Sequence, residues 1–426
     1  MDKRILKILK IVFTVCLVIL ILELFYLTYI SFFKEKKSIY FDAINAMDST
    51  VSDGYVVVGS NNNNDMHYEK AKITKYNSKK EKVFEVLYNK GFNSAFFDVA
   101  VDDTDFIAVG SYEADDSEHE KGIREAIIVK YDKTGKVLFD KSFKALDDSK
   151  FVSVYVLDDG YLVAGQSIYE KMTLGLSNSG GAYLIKYDKV GNVVWKSNYG
   201  DNKGAIFNDV ISVNNSIYVV GRDASRVGLI NRYDMNGNLI KSSGYEYTDS
   251  LGLTSLVAVD DGIVATGAKK YIDDKNNSIV DALLIKYDFE CNYLDEVTYD
   301  NNGVERFNRV IKDSNGNLVV VGNEVLSYTS TEEANNNNLL YNGLIGKYKS
   351  DLSNIKLETY GAQRDDHFTD IKVVDNNYCV VGYSSYEDGS YLSKFIVYSD
   401  ALKVLEVQGW KLRWWDMDKQ ILIMMG

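Results

Sequence analysis

Short apolar runs alternate with polar turns along nearly the whole chain, and the pattern is clearest between Ala182 and Gly221. There the segments Ala182–Tyr187, Val193–Ser197, Phe207–Val213 and Ile217–Gly221 are rich in Val, Ile, Tyr and Trp and bounded by Asn, Asp and Gly. Runs of this length and composition predict β-strands. The run ending at Gly221 has few polar side chains on either face, as expected of a strand covered on both sides. In the order in which they recur, the strands of one unit are A (207–213), B (217–221), C (182–187) and D (193–197).

The unit repeats. The glycine closing strand B falls at 59, 110, 165, 221, 267, 322 and 382, and the tyrosine of strand C at 76, 131, 187, 233, 287, 348 and 398. Seven of each, 46 to 61 residues apart, predict seven four-stranded blades of a propeller, because a period near fifty with four strands per unit is that architecture's signature. The links from A to B and from C to D are tight, as in Asp132-Lys133-Thr134-Gly135 and Asp234-Met235-Asn236-Gly237. Aspartate opens such turns and glycine supplies a positive φ. The links from B to C are mostly long and variable, among them 60–71, 111–125, 166–181, 268–281 and 323–342. In an up-and-down sheet they share one end with the D-to-A links, so that end is the expected binding face.

Three motifs carry a family resemblance. They are Lys186-Tyr187-Asp188-Lys189-Val190-Gly191-Asn192-Val193-Val194-Trp195, Tyr199-Gly200, and Asp159-Gly160-Tyr161-Leu162-Val163-Ala164-Gly165. With their K-Y-D-x-x-G turns, they resemble bacterial extracytoplasmic β-propeller repeat proteins over roughly residues 40–410. The resemblance implies the fold and a location outside the cytoplasm; it implies no defined activity. The tryptophan of strand D occurs only in the third unit, a departure from the family's pattern.

The N-terminus differs from the repeats. Residues 11–33 form an apolar run of 23, long enough to span a bilayer. Lys3, Arg4, Lys7 and Lys10 precede it, and Lys34, Lys36 and Lys37 follow it with Glu35 among them. The imbalance predicts a cytoplasmic N-terminus, and the lack of a small-residue cleavage pattern predicts an uncleaved transmembrane helix. The cost of Glu23 within the run is offset by the surrounding Leu and Ile; a contact with a partner helix is the alternative reading. The expected division is therefore 1–37 as cytoplasmic stub and anchor, 38–410 as seven-bladed propeller, and 411–426 as a tail that begins a further unit or closes the ring.

Composition narrows the function classes. The net charge of −13 argues against nucleic acid as a partner, since phosphate binding needs a basic patch. Proline is absent, so Gly, Asn and Asp make the turns. Cys16, Cys291 and Cys379 fall in different parts of the chain, and His67, His119 and His367 have no partner at ligand spacing. No disulfide, zinc site or histidine metal site is encoded, and no cofactor is expected. Hydrolase and phosphate-loop motifs are absent. Asp313-Ser314-Asn315-Gly316-Asn317 begins like a calcium loop, with Glu324 at the twelfth position, but the segment fits an A-to-B turn. Asp115, Asp116, Glu118 and Glu120 cluster in one B-to-C link, and Tyr112, Tyr169, Tyr271, Tyr328 and Tyr386 are link aromatics able to stack on sugar or peptide.

These features favour a membrane-anchored, extracytoplasmic binding or scaffolding module for a surface protein or glycan, held to the membrane through residues 11–33. The candidate binding residues are Asp201, Arg364 and Asp365 near the axis, with Tyr169, Tyr271 and Tyr386 outside them. The alternatives are a surface glycoside hydrolase with a carboxylate pair on the long-link face, and an envelope assembly factor acting through Glu23.

Overall fold

The computed structural model describes residues 41–409 apart from 50–52, 63–68, 115–123, 147, 169–179, 201–203, 273–277, 302, 326–340, 362–364 and 386–390. Within them lie 28 strands. They form six sheets, each antiparallel within every consecutive set of four strands: sheet 1 (41–87), sheet 2 (92–199), sheet 3 (206–245), sheet 4 (248–299), sheet 5 (305–360) and sheet 6 (365–409). Five of the sheets have four strands, in sequence order; sheet 2 has eight.

The count corrects the expectation of seven separate blades behind a transmembrane helix. Residues 92–143 and 148–199, expected as two blades, are joined by the parallel bridge Arg124↔Asp148 into one sheet. A similar parallel bridge, Val280↔Val304, links sheets 4 and 5. It stops one residue short of the strand Glu305–Lys312, so those sheets stay separate. Among the described residues, no helix is long and apolar enough to cross a membrane. The apolar run 11–33, Glu23 and the tail 411–426 lie outside the described residues.

The doubly apolar runs have a direct explanation. In the strand Asp105–Glu113, Phe106 and Ala108 enter the core against sheet 1, while Ile107 and Val109 enter the core against residues 151–187. In the strand Gly160–Ile168, Tyr161 and Val163 face one neighbour, and Leu162 and Ala164 face the other. Each such strand feeds two cores, and six clusters of this kind follow one another along the chain. A seventh cluster brings Met47, Tyr55 and Val57 of sheet 1 against Cys379, Val381, Phe395 and Val397 of sheet 6. The ring is closed by packing of faces: Phe41–Ser49 pairs with Tyr55–Asn62, and Val404–Gly409 pairs with Tyr391–Tyr398. The chain folds as a β-propeller.

The recurrent glycines and tyrosines mark one device. The innermost strands carry a register shift, for example between Phe207 and Asp209 and between Phe307 and Arg309. Opposite that shift sits the closing glycine of the next strand. A Cβ on Gly221 would stand 2.0 Å from the Ile206 carbonyl oxygen, and one on Gly322 only 1.8 Å from that of Arg306. Only glycine admits this approach. The phenylalanine at the shift packs edge-on against the tyrosine of the third strand, as in Phe96–Tyr131, Phe151–Tyr187, Phe207–Tyr233, Phe307–Tyr348 and Phe368–Tyr398. Such pairs add about 0.5–1.5 kcal/mol beyond area burial.

Candidate functional site

The register shift turns one polar residue toward the axis in six of the seven innermost strands (in sheet 1 the same place is held by Ala46), and these residues are Asp98, Ser153, Asp209, Ser255, Arg309 and Asp370. Each binds its neighbour. Asp98 accepts the Val154 backbone N–H at 2.9 Å, and the Ser153 hydroxyl donates to Asp209 at 2.6 Å. Asp209 accepts the Ser255 hydroxyl at 2.8 Å and the Leu256 N–H at 3.2 Å. Ser255 Oγ accepts the Val310 N–H at 3.4 Å. Arg309 bridges Asp209 at 3.2 Å and Asp370 at 3.1 Å, and Asp370 accepts the Met47 N–H at 2.9 Å across the closing seam. Asp48 completes the belt by accepting the Val101 N–H at 2.8 Å.

The axis is thus occupied by a belt of buried polar groups that stitches each sheet to the next. Burial pushes the Asp98 carboxyl up to about 6, opposed by Arg309. Burial alone would lower the Arg309 guanidinium; the carboxylates of Asp209, Asp370, Asp98 and Asp48 outweigh it and hold the group charged. Beside the belt runs a second set of ties. Asn45, Asn208, Thr254, Asn308 and Thr369 donate to the carbonyls of Phe96, Leu253, Phe307, Phe368 and Ile44 on the following innermost strand. At the corresponding places in sheet 2 stand the apolar Phe97 and Val152.

Five turns at the tight-turn end share one device. Asp132, Asp188, Asp234, Asp288 and Asp313 each accept two backbone N–H groups, two and four residues on. Asp313–Asn317 is therefore a turn, as its sequence predicts. A turn aspartate also ties the two halves of sheet 2: Asp102 accepts Lys130 at 3.0 Å, Lys189 at 2.7 Å and the Tyr161 hydroxyl at 2.7 Å. Burial would raise its carboxyl, and these bonds overcome that and hold it at about 2. Asp313 repeats the arrangement with Lys347 and Tyr378. Two cavities open at this end, of about 280 Å³ beside Asp313, Tyr378 and Asp400 and about 220 Å³ along the seam beside Tyr55, Lys80 and Cys379.

At the long-link end the candidate residues separate. Asp201, Arg364, Tyr169 and Tyr386 lie outside the described residues, as do Tyr328, His67, His119 and the acidic cluster Asp115–Glu120. Asp365 opens the strand Asp365–Val374. Tyr271 lies in the strand Gly262–Ile272 and donates to Asp281 at 3.0 Å. Tyr112 is buried and donates to Glu125 at 2.8 Å, so it serves packing. His367 is stacked on Tyr383 and tilted against Tyr341, with ring centroids 4.8 and 4.7 Å away. Cys291 and Cys379 are free and buried. Near Tyr271, burial followed by the charges of Asp300 and Asp281 pushes the Glu305 carboxyl up to about 7, against the pull of the Asn301 backbone amide.

The polar groups of the belt come from the innermost strands, whereas the sequence pattern sets Asp201, Arg364 and Asp365, the candidates expected near the axis, in the D-to-A links. The signal was present as the recurring Phe-x-Asp/Ser/Arg at residues 96–98, 151–153, 207–209, 307–309 and 368–370. Strict alternation would bury those polar residues in a face.

No family model matches the chain, and no curated protein matches it. Among solved structures, the WD40 domain of Neurospora crassa Pan2 is similar at 10% identity and a TM-score of 0.47, over 83% of this chain and 89% of that one. The WD40 propeller domain of Doa1 is similar at 11% identity and a TM-score of 0.49, over 84% of this chain and 94% of that one. The propeller domain of the Trilobed protease from Pyrococcus furiosus gives 9% identity and a TM-score of 0.47, over 87% and 98%. At these values no inference about ligand or activity passes from them to this chain.

Proposed function

We propose that the chain is a binding or scaffolding module whose β-propeller stands outside the cytoplasm, anchored through the apolar run 11–33, and which engages a surface protein or glycan at its long-link end. The observation that carries the binding face is the contrast between the ends. Five turns of one end repeat the same aspartate bonds; at the other end Asp223 makes them in one link, and the links differ in length and sequence. A rigid ring that varies at one end only is how a scaffold presents a recognition surface. Basic residues ahead of the apolar run support a cytoplasmic N-terminus.

Two experiments test this. Protease added to intact cells or protoplasts should cut the long links; protection of the whole domain until lysis refutes the location. A ligand found by screening surface glycans and envelope proteins should bind less tightly after alanine substitution of Asp201, Arg364, Asp365, Tyr169, Tyr271 and Tyr386, with the melting temperature nearly unchanged. A greater loss from Asp132→Ala or Asp234→Ala places the binding face at the other end.

A further inference from the structure

One register position has been filled differently in three sheets. Where the innermost strand begins, its residue faces one on the next strand: Ser149↔Ser167 in sheet 2, Asp366↔Ser384 in sheet 6, Glu305↔Glu324 in sheet 5. The serines hydrogen-bond to each other at 2.7 Å. Asp366 is answered by the Ser384 hydroxyl and by Lys394 at 2.5 Å. In sheet 5 two acids stand opposite each other, which is unfavourable without a counter-charge. Glu324 is held by Tyr299 at 3.2 Å, Asn301 at 3.2 Å and Asn342 at 3.4 Å. Glu305 is fully buried, and the Asn301 backbone amide that pulls on its carboxyl falls outside hydrogen-bond geometry, so neither carboxylate oxygen has a partner.

What Glu305 faces is more acid. Oxygens of Asp281, Asp300 and Glu305 lie within 4.8 Å of one another. Asp281 is buried, and its Oδ1 is also without a hydrogen-bond partner; its Oδ2 accepts the Tyr271 hydroxyl. Lys269, opposite Asp281 on the neighbouring strand, is bound to Glu296 at 2.6 Å. The Val280↔Val304 bridge sets Asp281 and Glu305 side by side across the junction of sheets 4 and 5.

From this geometry we infer that Asp281, Asp300 and Glu305 form a calcium site at the junction of sheets 4 and 5. The donor set is all oxygen and anionic, the preference of a hard divalent cation. Calcium sits about 2.3–2.6 Å from its ligands, so ligand oxygens on opposite sides of it are about 4.6–5.2 Å apart. A separation within 4.8 Å fits that sphere without rearrangement. Magnesium, at about 2.0–2.1 Å and with stricter geometry, needs the three to close in. Asp300 is exposed and opens the site to water, which fills the remaining positions and gives the ion a way in. Glu305 and Asp281 supply the buried charge that the cation neutralises. The ligands are too far apart in sequence, with Asp281 and Glu305 on different sheets, for spacing to have shown them.

The test uses the full-length chain. Terbium, a luminescent stand-in for calcium, should be sensitised by nearby tyrosines and displaced by calcium, and calcium should raise the melting temperature above its value in chelator. Glu305→Gln and Asp281→Asn should weaken both effects by about tenfold or more, the scale on which lost metal-site groups act. Asp300→Asn, at an exposed position, keeps the fold and should weaken them as well, while Asp132→Asn at the opposite end should match wild type. The site is refuted if calcium leaves the wild-type melting temperature where chelator puts it, or if the Asp300→Asn and Glu305→Gln proteins titrate like wild type. A rise with magnesium equal to that with calcium overturns the choice of ion.

Discussion

The axis and the rim between sheets 4 and 5 both bury carboxylates, and they treat them in opposite ways. On the axis Asp209 and Asp370 share Arg309, and each also accepts a backbone N–H from the following sheet. On the rim Glu305 faces Glu324, Asp281 and Asp300 with no hydrogen-bond partner of its own. Buried charge alone therefore does not mark a functional place. On the axis it is structural, because every acid is answered by a group of the chain. An acid left unanswered at the rim is what points outward to a ligand.

The comparison can be broken most sharply at the axis. Asp370→Ala removes one partner of Arg309 and the acceptor of the Met47 N–H at the seam. Breaking such a buried pair costs about 3–5 kcal/mol, to be read by urea denaturation. If the loss is under 1 kcal/mol, the belt does not hold the ring. A second test is pH. The Asp98 carboxyl is raised to about 6 in the folded chain, so between about pH 4 and 6 the folded state keeps a proton that the unfolded state has lost. Stability should fall as pH rises through that window, by roughly 3 kcal/mol on a two-unit shift. Asp98→Asn should flatten this part of the curve, and an unchanged slope assigns it elsewhere.

Smaller effects sharpen the contrast. Asn208→Ala leaves the Leu253 and Leu251 carbonyls without their side-chain donor and should cost about 1–2 kcal/mol. Phe97→Ala, at the matching place in sheet 2, should lose no such bond; a double-mutant comparison of denaturation midpoints checks it. The smallest effect has the opposite sign. In chelator, Glu305→Gln should unfold at a slightly higher urea concentration than wild type, by about 0.2–1 kcal/mol, since it relieves a like-charge pair on facing strands.

Much of the fold was legible because its constraints are local. Gly221 must lack a Cβ where the Ile206 carbonyl passes, Tyr233 must meet Phe207, and both requirements recur with each unit. The joining of residues 92–143 and 148–199 was not legible: it depends on one bridge between the first residues of two strands, Arg124 and Asp148, with another whole strand between them in sequence. The axial belt was hidden for another reason. A register shift breaks the two-residue alternation on which inward and outward faces are assigned from sequence, so Asp209 and Arg309 turn to the axis instead of into a sheet face. Of the six candidate binding residues, Tyr271 proves to touch the rim acids through Asp281; its sequence neighbourhood gave no sign of Glu305.

The closing seam has a consequence for synthesis of the chain. Every other core cluster joins stretches that follow one another in sequence, so each sheet can settle on its predecessor as the polypeptide leaves the ribosome. Met47 and Asp370, 323 residues apart, can meet only when nearly everything between them has been made. Until then sheet 1 shows a bare apolar face containing Met47, Tyr55 and Val57. Slow, distant contacts of this kind leave a nascent chain open to aggregation. The interval before the last sheet docks is therefore when this protein has most need of a chaperone.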